Sequence, residues 1–350
     1  MSIVIPSWNG RHLLEQFLPS VISAAHSYTQ SSGAEVEVII VDDGSTDGTV
    51  DWLHTAHPQV VTVRKEKNEG FGPACNHGFA RAKHSVVLLL NNDVRVEADI
   101  LLHLVDHFCD PSVFAVCCKA LDPQTNGVAT AGKVGQFKSG FWRVHGNYDV
   151  IRDQGSGIGD QRSGVRDQFP ETSNQRPATS DHYFSILASG GFSAFATEKL
   201  RQLGGFDSLL APFYWEDVDL SLRAWKRGWK ILYEPGAVVY HETSSTIRTH
   251  FSSQEIDVIA QRNRLIAHWI NLHDPGWLVE HLAVVVLLVL SSLLTLNFTF
   301  WRAFLGACRN LPVICWQRNQ ERHAAQVSDR ELARLMATAI CRPEVRLVNR

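Results

Sequence analysis

The chain has 350 residues, of which 45% are hydrophobic and 20% are charged, and its formal net charge is −3 at pH 7. This much apolar material can form a substantial core, in one large domain or in two smaller ones. The slightly negative charge argues against a nucleic-acid-binding protein, which needs cations for phosphate contacts. The seven cysteines are scattered without a Cys-x-x-Cys pair, so we expect reduced thiols in the cytosol and neither structural zinc nor a disulfide framework.

The first 110 residues alternate between short β-rich runs and segments whose apolar residues have helical spacing. Strands are predicted at 2–5, 36–41, 60–63 and 86–90, and helices at 13–25, from 49 onward, at 72–82 and at 98–108. This alternation predicts an α/β fold with a mainly parallel sheet covered by helices. Because the chain opens directly on a strand, we expect no signal peptide.

The composition changes over residues 146–181, which are rich in Gly, Asp, Gln, Arg, Ser and Pro. We predict a long flexible insertion there. Ordered structure is predicted to return at 184–196, followed by a helix from about 217 and short strands at 230–233 and 237–240. We expect one domain over residues 1–250 and a helical C-terminal region over residues 251–350.

Residues 282–296 read LAVVVLLVLSSLLTL, and no charged side chain occurs between His281 and Trp301. This length approaches the roughly 20 apolar residues that span a bilayer. A single crossing would carry four following arginines to the far side of the membrane, against the positive-inside rule. A helix buried in the protein or lying on a membrane fits better. We favour peripheral contact through residues 277–301, at the inner face of the cell membrane.

Two polar clusters fall at the ends of predicted strands, where ligands bind parallel sheets. Asp42 and Asp43 end one strand, where a carboxylate can accept hydrogen bonds from a base or a ribose, although solvated acids in a turn are an equal alternative. Asn91, Asn92 and Asp93 follow the strand predicted at 86–90 and offer oxygen ligands to a divalent cation. Such a triplet taken alone is more often a simple turn.

A third cluster places Glu216, Asp217 and Asp219 within four residues, where the carboxylates repel one another. Asp219 and Arg223 have i,i+4 spacing, so we assign that pair a structural role in a helix. Glu216 and Asp217 remain as candidates for catalysis.

The combined motifs resemble family 2 glycosyltransferases of the GT-A fold, in the rhamnosyltransferase-like branch. The matching segments, in order, are SIVIPSWN (2–9), VDDGSTD (41–47), NEGF (68–71) with Asn76, LNND (90–93), GGF (190–192), GGFD (204–207), WEDVDL (215–220) with Arg223, and YH (240–241). The resemblance covers about residues 2–245. It implies a Rossmann-like, mainly parallel sheet with helices, to which this chain adds a helical C-terminal extension.

Carried over to this chain, the resemblance implies a role for each motif. Asp217 would be the general base, with Glu216 beside it. Asp93 and His241 would hold Mn²⁺ or Mg²⁺ on the donor's diphosphate, but Asn91 and Asn92 stand where acids are common, so we expect weak metal binding before the donor arrives. The residues that would contact the nucleotide are Pro6, Ser7, Asn9, Asp43, Asn68 and Asn92.

The implied activity is metal-dependent, inverting transfer of a hexosyl or rhamnosyl group from a nucleotide-sugar donor to a hydroxyl of a glycan or lipid-linked acceptor, in cell-surface polysaccharide synthesis. An Asp217 with an ordinary pKa of about 3.9 would be ionised at pH 7, so we expect positioning to matter more than pKa tuning. The segment 261–264 (QRNR) lacks the tryptophan of the Q-x-x-R-W element of processive synthases, so we expect addition of one or a few sugars.

Two alternatives come from other classes of protein. The asparagines at 91 and 92 are compatible with a non-catalytic nucleotide-sugar-binding protein. A sugar nucleotidyltransferase would share a similar sheet, but residues 7–10 (SWNG) are not the glycine-rich phosphate loop it needs.

Overall fold

The structure, a computed structural model, describes residues 1–150, 183–242 and 249–348. Its centre is a mixed sheet. The strands of this sheet are β1 (Ser2–Ser7), β2 (Glu37–Asp42), β3 (Val61–Arg64), β4 (Val86–Leu90), β5 (Val94–Val96), β6 (Val113–Leu121), β7 (Val128–Thr130), β10 (Tyr183–Phe184), β11 (Phe192–Ala196) and β12 (Lys230–His241). A second, smaller sheet contains β8 (Gly132–Lys138), β9 (Phe141–Val150) and β13 (Val345–Val348).

The central sheet is mainly parallel, as the alternation of elements predicts. Its strand order is β10-β12-β6-β11-β4-β1-β2-β3. Strands β1, β2, β3 and β4 pair in parallel, as do β6 and β12, whereas β11 runs antiparallel between β4 and β6. The carboxyl ends of β1, β2 and β4 therefore lie side by side at one edge.

Helices cover both faces of the sheet. In chain order they are α1 (Arg11–Ser32), α2 (Thr49–Ala56), α3 (Phe71–Arg81), α4 (Ile100–Val105), α5 (Thr197–Gln202) and α6 (Glu216–Lys226). Successive residues of a strand point to opposite faces, so Val87 and Leu89 of β4 join one core cluster with Phe79 of α3, and Leu88 joins the other with Leu14 of α1. Both faces of β4 are buried, which explains its unbroken apolar sequence.

The structure differs from the sequence prediction around the insertion. Residues 146–150 belong to β9 and not to a loop, because β9 pairs with β8 and also with β13 from the end of the chain. The rest of the predicted insertion lies outside the described residues. The two short strands predicted at 230–233 and 237–240 form one strand, β12, whose pairing with β6 is irregular between Glu234 and Val238.

The C-terminal region contains five further helices among the described residues. These are α7 (Ser253–Asn271), α8 (Pro275–Leu294), α9 (Phe298–Cys308), α10 (Leu311–Ala324) and α11 (Asp329–Ala339). A buried polar network joins them to α6: Nδ2 of Asn271 donates to Asp219 at 2.6 Å, and the ammonium of Lys226 lies 2.9 Å from the carboxylate of Asp329. Because breaking a buried ion pair leaves an unpaired charge, this network fixes α6 against the C-terminal helices.

Candidate active site

A cavity of about 520 Å³ lies at the carboxyl ends of β1, β2 and β4. It brings together residues that are more than 200 positions apart in the chain. The predicted site residues that line it are Pro6, Ser7, Asp43, Asn68, Asn92, Asp93, Glu216, Asp217 and His241. Asn9 is the predicted site residue that does not line it.

The side chain of Asn9 is engaged in a turn beside the cavity. Its Oδ1 accepts the N–H of Thr46 at 2.9 Å, and its own N–H donates to Oγ of Ser45 at 2.8 Å. Asn9 adopts a left-handed conformation with φ 49°, which asparagine tolerates better than most residues. These two hydrogen bonds therefore connect the loop after β1 to the loop after β2.

Asp43 is held by a cation that the sequence analysis did not identify. Nζ of Lys65 lies 2.9 Å from Oδ1 of Asp43 and 2.9 Å from the carboxylate of Glu69. The N–H of Gly70 also donates to Asp43 at 2.9 Å. Gly70 has φ 99°, and a Cβ there would lie 2.8 Å from Cα of Pro212, so only glycine fits. Asp43 thus presents a fixed carboxylate at the cavity wall.

Asp93 and His241 meet at the end of β12. Oδ1 of Asp93 lies 3.3 Å from Nε2 of His241, and the ring of His241 packs beside Phe192. Two ligands at adjacent positions of a small octahedral cation lie about 3 Å apart, so this pair fits Mn²⁺ or Mg²⁺. Within the described ranges there is no group of three or more His, Cys, Asp or Glu that could hold a metal ion. The remaining ligands of such a cation would be amide, substrate or water oxygens, and Asn91 and Asn92 line the same cavity.

Glu216 and Asp217 begin α6, on the same cavity. Asp217 accepts the N–H of Val218 at 2.8 Å and that of Gly190 at 3.3 Å. Burial raises the pKa of Asp217, and these two hydrogen bonds oppose the rise. Burial, together with the charge of Asp217, raises the pKa of Glu216 to about 8. The expectation of an ordinary pKa at Asp217 is therefore wrong, because burial of both adjacent carboxyl groups disfavours their charged forms.

The loop before α6 has an unusual backbone that a single buried side chain holds in place. Tyr214 and Trp215 have φ values of 71° and 75°, which bulky residues rarely adopt. Nδ2 of Asn263, a fully buried residue of α7, donates to the carbonyl groups of Phe213 and Tyr214 at 2.9 Å each. Strained backbone of this kind persists only where its surroundings determine it. Nothing in the local sequence of residues 261–264 marks Asn263 for this role.

We expect Asn263→Ala to lower stability and also the nucleotide-sugar turnover that the family resemblance implies. The substitution leaves buried carbonyl groups without donors, which should cost about 1–3 kcal/mol of unfolding free energy. Displacement of Glu216 and Asp217 should lower kcat about 10- to 100-fold. Urea denaturation and steady-state kinetics measure the two effects, with Asn319→Ala on the exposed side of α10 as the control. Unchanged kcat in a folded Asn263→Ala protein would show that this hydrogen bonding does not position the acids.

Comparison with known proteins gives two matches to family models. Residues 2–150 match the model described as Glycosyl transferase family 2, and residues 163–318 match the model described as Glycosyl transferase family group 2. These matches support a family 2 glycosyltransferase. The rhamnosyltransferase-like branch remains a prediction.

Two curated bacterial proteins to which this chain is similar are named as glycosyltransferases. The chain is 34% identical over 104 residues to the putative teichuronic acid biosynthesis glycosyltransferase TuaG of Bacillus subtilis, covering 29% of this chain and 38% of the relative. It is 26% identical over 214 residues to the pre-mycofactocin glycosyltransferase of Mycobacterium tuberculosis, covering 61% and 39%. The chain therefore spans about two fifths of the length of these curated relatives.

Two solved structures share the fold of this chain. One is GalNAc-T7 with UDP, GalNAc and Mn²⁺, with a TM-score of 0.52 and 18% identity over 78% of this chain and 48% of that one. Another is residues 1–349 of Staphylococcus aureus TarS in complex with UDP-GlcNAc, with a TM-score of 0.50 and 15% identity over 97% and 90%. At these identities the likeness establishes the mixed α/β, GT-A architecture alone.

Proposed function

We propose that the chain is a metal-dependent inverting glycosyltransferase that moves a sugar from a nucleoside-diphosphate sugar to a hydroxyl of a glycan or lipid-linked acceptor. The observation that carries this proposal is the shared cavity of Asp217 and the Asp93–His241 pair. Gly190 and Gly191 line the same cavity. A Cβ at Gly190 would lie 3.5 Å from Cβ of Asp217, and one at Gly191 would lie 2.7 Å from the side chain of Asn91, so a larger residue at position 191 would displace Asn91.

The proposed reaction is a single displacement. Asp217 accepts the proton of the acceptor hydroxyl while that oxygen bonds to the anomeric carbon, and the bond from this carbon to the diphosphate oxygen breaks on the opposite side. Glu216, whose pKa lies at about 8, keeps its proton at pH 7 and leaves the negative charge to Asp217. When bound by Asp93 and His241, Mn²⁺ or Mg²⁺ would supply positive charge against the charge developing on the leaving diphosphate.

The nucleotide side of the cavity is formed by residues fixed before any ligand arrives. Asp43 is held by Lys65 and Gly70, and Nδ2 of Asn92 donates to Oγ of Ser7 at 3.0 Å. We assign the ribose or base to Asp43 and Asn68 and the adjoining phosphates to the Ser7–Asn92 side. Because these side chains are already held in place, binding of a nucleotide does not carry the entropy cost of ordering them.

A panel of nucleotide sugars tests the proposal. Purified protein with Mn²⁺ should release nucleoside diphosphate from at least one UDP-, GDP- or dTDP-sugar, slowly with water and faster with an acceptor. Binding without release would instead support a non-catalytic nucleotide-sugar-binding protein. Release of pyrophosphate from a nucleoside triphosphate and a sugar phosphate would support a nucleotidyltransferase.

We also propose that α8 attaches the protein to the inner face of the cell membrane. The helix has 20 residues, and its most apolar stretch of 18 residues has a mean hydropathy of 2.2 and is only 17% buried, which is too little for a core helix. Leu287, Leu290 and Leu294 are 64%, 51% and 86% exposed. Exposed Arg302 and Arg309 follow closely and favour anionic lipid. Such attachment would bring the cavity to lipid-linked acceptors.

Replacing Leu287, Leu290 and Leu294 together with serine should lower binding to vesicles of phosphatidylglycerol and phosphatidylcholine at least about tenfold. The apolar contact area is lost while the rest of the fold keeps its packing, because these side chains face outward. Co-sedimentation with vesicles measures the change, and Leu102→Ser, at a 42% exposed leucine of α4, is the matched control. Undiminished vesicle binding would contradict the assignment, and a change in oligomeric state alone would show that the face joins copies of this chain.

A further inference from the structure

A continuous set of four aromatic side chains, the aromatic patch, lines the cavity beside the polar residues of the proposed site. Its members are Phe71, Phe213, Tyr214 and Phe251. The N–H of Phe71 donates to the carbonyl oxygen of Pro212 at 3.0 Å. The ring centroid of Phe213 lies 5.0 Å from that of Tyr214 and 5.0 Å from that of Phe251, both in edge-to-face contacts. Three separate parts of the chain therefore form one apolar surface.

The aromatic patch adjoins the proposed base. A Cβ at Gly190 would lie 3.4 Å from Cε1 of Phe71 and 3.5 Å from Cβ of Asp217, so both side chains pack beside the same glycine. Tyr214 precedes Asp217 by only three residues. The carboxyl group that would accept the acceptor's proton thus borders an apolar surface.

Tyr214 is the residue of the aromatic patch whose ring is most accessible to a ligand. Its exposed fraction is 42%, whereas Phe213 is buried and Phe71 and Phe251 are half-buried. An edge-to-face contact with Phe213 covers at most one face of the Tyr214 ring. Within the described ranges no second aromatic ring contacts it, and its Oη makes no hydrogen bond. One face of this ring is therefore available in the cavity.

The backbone holds this ring at the cavity in an unfavourable conformation. Tyr214 has φ 71°, in the left-handed region that bulky residues rarely adopt. Nδ2 of Asn263 donates to its carbonyl oxygen at 2.9 Å and so stabilises this conformation. Strained residues that their surroundings keep in place cluster at ligand-binding and catalytic positions. The conformation of Tyr214 therefore indicates a role beyond packing.

The geometry of the proposed reaction indicates which ligand meets this ring. In a single displacement the acceptor approaches the anomeric carbon from the side opposite the leaving diphosphate, and its hydroxyl must reach Asp217. A surface beside Asp217 therefore faces the acceptor, whereas the Asp93–His241 pair faces the donor diphosphate. Many pyranose rings have a face that carries mainly C–H groups, whose partial positive charge suits the partially negative face of an aromatic ring.

We propose that Tyr214 is a specificity-determining residue for the acceptor, whose ring packs against the C–H face of the acceptor pyranose while a hydroxyl of that sugar lies at Asp217. Phe213 and Phe251 support the ring and extend the apolar surface. This inference rests on the proposed function for its place in the reaction. Binding of a sugar at Tyr214 can be measured without any turnover.

Saturation-transfer difference NMR tests this binding on protein loaded with UDP and Mn²⁺. The probes are the methyl glycosides of glucose, galactose, mannose, rhamnose and N-acetylglucosamine. At least one of them should receive saturation at its ring C–H protons in the wild type. Its affinity should fall about tenfold in Tyr214→Ala, the effect expected for loss of a stacked aromatic ring.

Three further variants make the test specific. Tyr214→Phe keeps the ring and should bind the glycoside like the wild type. Tyr214→Gly replaces Tyr214→Ala if the latter does not fold, because glycine adopts a positive φ without strain. Trp316→Ala removes an exposed aromatic side chain of α10, outside the cavity, and is the matched control.

Two NMR results would overturn the inference. One is an absence of glycoside contact in the wild type, or equal affinity in the wild type and in Tyr214→Ala. The other is binding of octyl glycosides without binding of methyl glycosides, since the apolar surface would then hold the lipid part of an acceptor and not its sugar.

The second readout is the kinetics of transfer from a donor identified in the panel to the glycoside that binds best. Tyr214→Ala should raise KM for the glycoside about tenfold and keep KM for the donor within about twofold, because the lost contact involves the acceptor. A rise in KM for the donor alone would assign the ring to the donor and contradict the inference. If the wild type releases no nucleoside diphosphate from any donor, the proposed function fails, whereas the NMR measurement still decides whether a sugar packs on Tyr214.

Discussion

Asp217→Asn should lower kcat for sugar transfer by about 10²–10⁴-fold, the contribution of a general base. Asparagine has nearly the same shape and still accepts the N–H of Val218, but it cannot take the acceptor's proton. Donor affinity should stay within a few-fold, because the residues proposed to hold nucleotide and cation lie on other strands. Kinetics of transfer and calorimetric titration of the nucleotide with Mn²⁺ measure the two effects.

The matched control for this variant is Glu216→Gln. Burial raises the pKa of Glu216 to about 8, which favours its protonated form at pH 7. Glutamine resembles that form, so we expect Glu216→Gln to keep activity within about tenfold. Activity of the wild type should fall as pH falls through the pKa of Asp217, and this loss should occur at higher pH than for an ordinary aspartate, since burial raises that pKa. Near-normal turnover by Asp217→Asn, or a complete loss in Glu216→Gln alone, would reverse the assignment of the base.

Asp93→Asn should abolish most of the increase in affinity for the donor nucleotide that Mn²⁺ provides. The substitution removes the only formal negative charge of the Asp93–His241 pair, and divalent cations prefer charged oxygen ligands. We expect the Kd of UDP or GDP in the presence of Mn²⁺ to rise at least about tenfold, with little change when Mn²⁺ is omitted. Isothermal titration with and without Mn²⁺ measures this difference.

Asp99→Asn provides the control for that experiment. Asp99 is an exposed acid only six residues further along the chain, so it reports any general effect of removing a negative charge from this region. Donor affinity should not change in Asp99→Asn. If Mn²⁺ lowers the Kd of UDP or GDP equally in the wild type and in Asp93→Asn, then Asp93 does not bind the cation.

The N-terminal half of the fold was predictable because the pattern of apolar and polar residues in each strand and helix indicates which of its faces are buried. The unbroken apolar run of β4 indicated burial on both faces, and polar clusters after β2 and β4 marked the edge where ligands bind. Strand β9 was not predictable in the same way, since its partner β13 lies about 200 residues away. Glycine and polar residues near its end resembled a loop until that pairing was known.

The site was predictable at positions that belong to motifs, but not at the residues that support them. Lys65 and Asn263 act through contacts with Asp43 and with the loop before α6, and nothing in their local sequence marks them. The pKa of Asp217 likewise depends on burial, which is a property of the tertiary structure.

The central claim is that one cavity holds a cation on Asp93 and His241 and places a donor sugar beside Asp217. Crystals grown with Mn²⁺ and UDP or GDP, measured for anomalous scattering, test it most directly. The account predicts a manganese peak within about 2.5 Å of both Asp93 and His241, with the diphosphate extending toward Gly190. A manganese peak elsewhere, or a nucleotide bound outside the cavity, would contradict it.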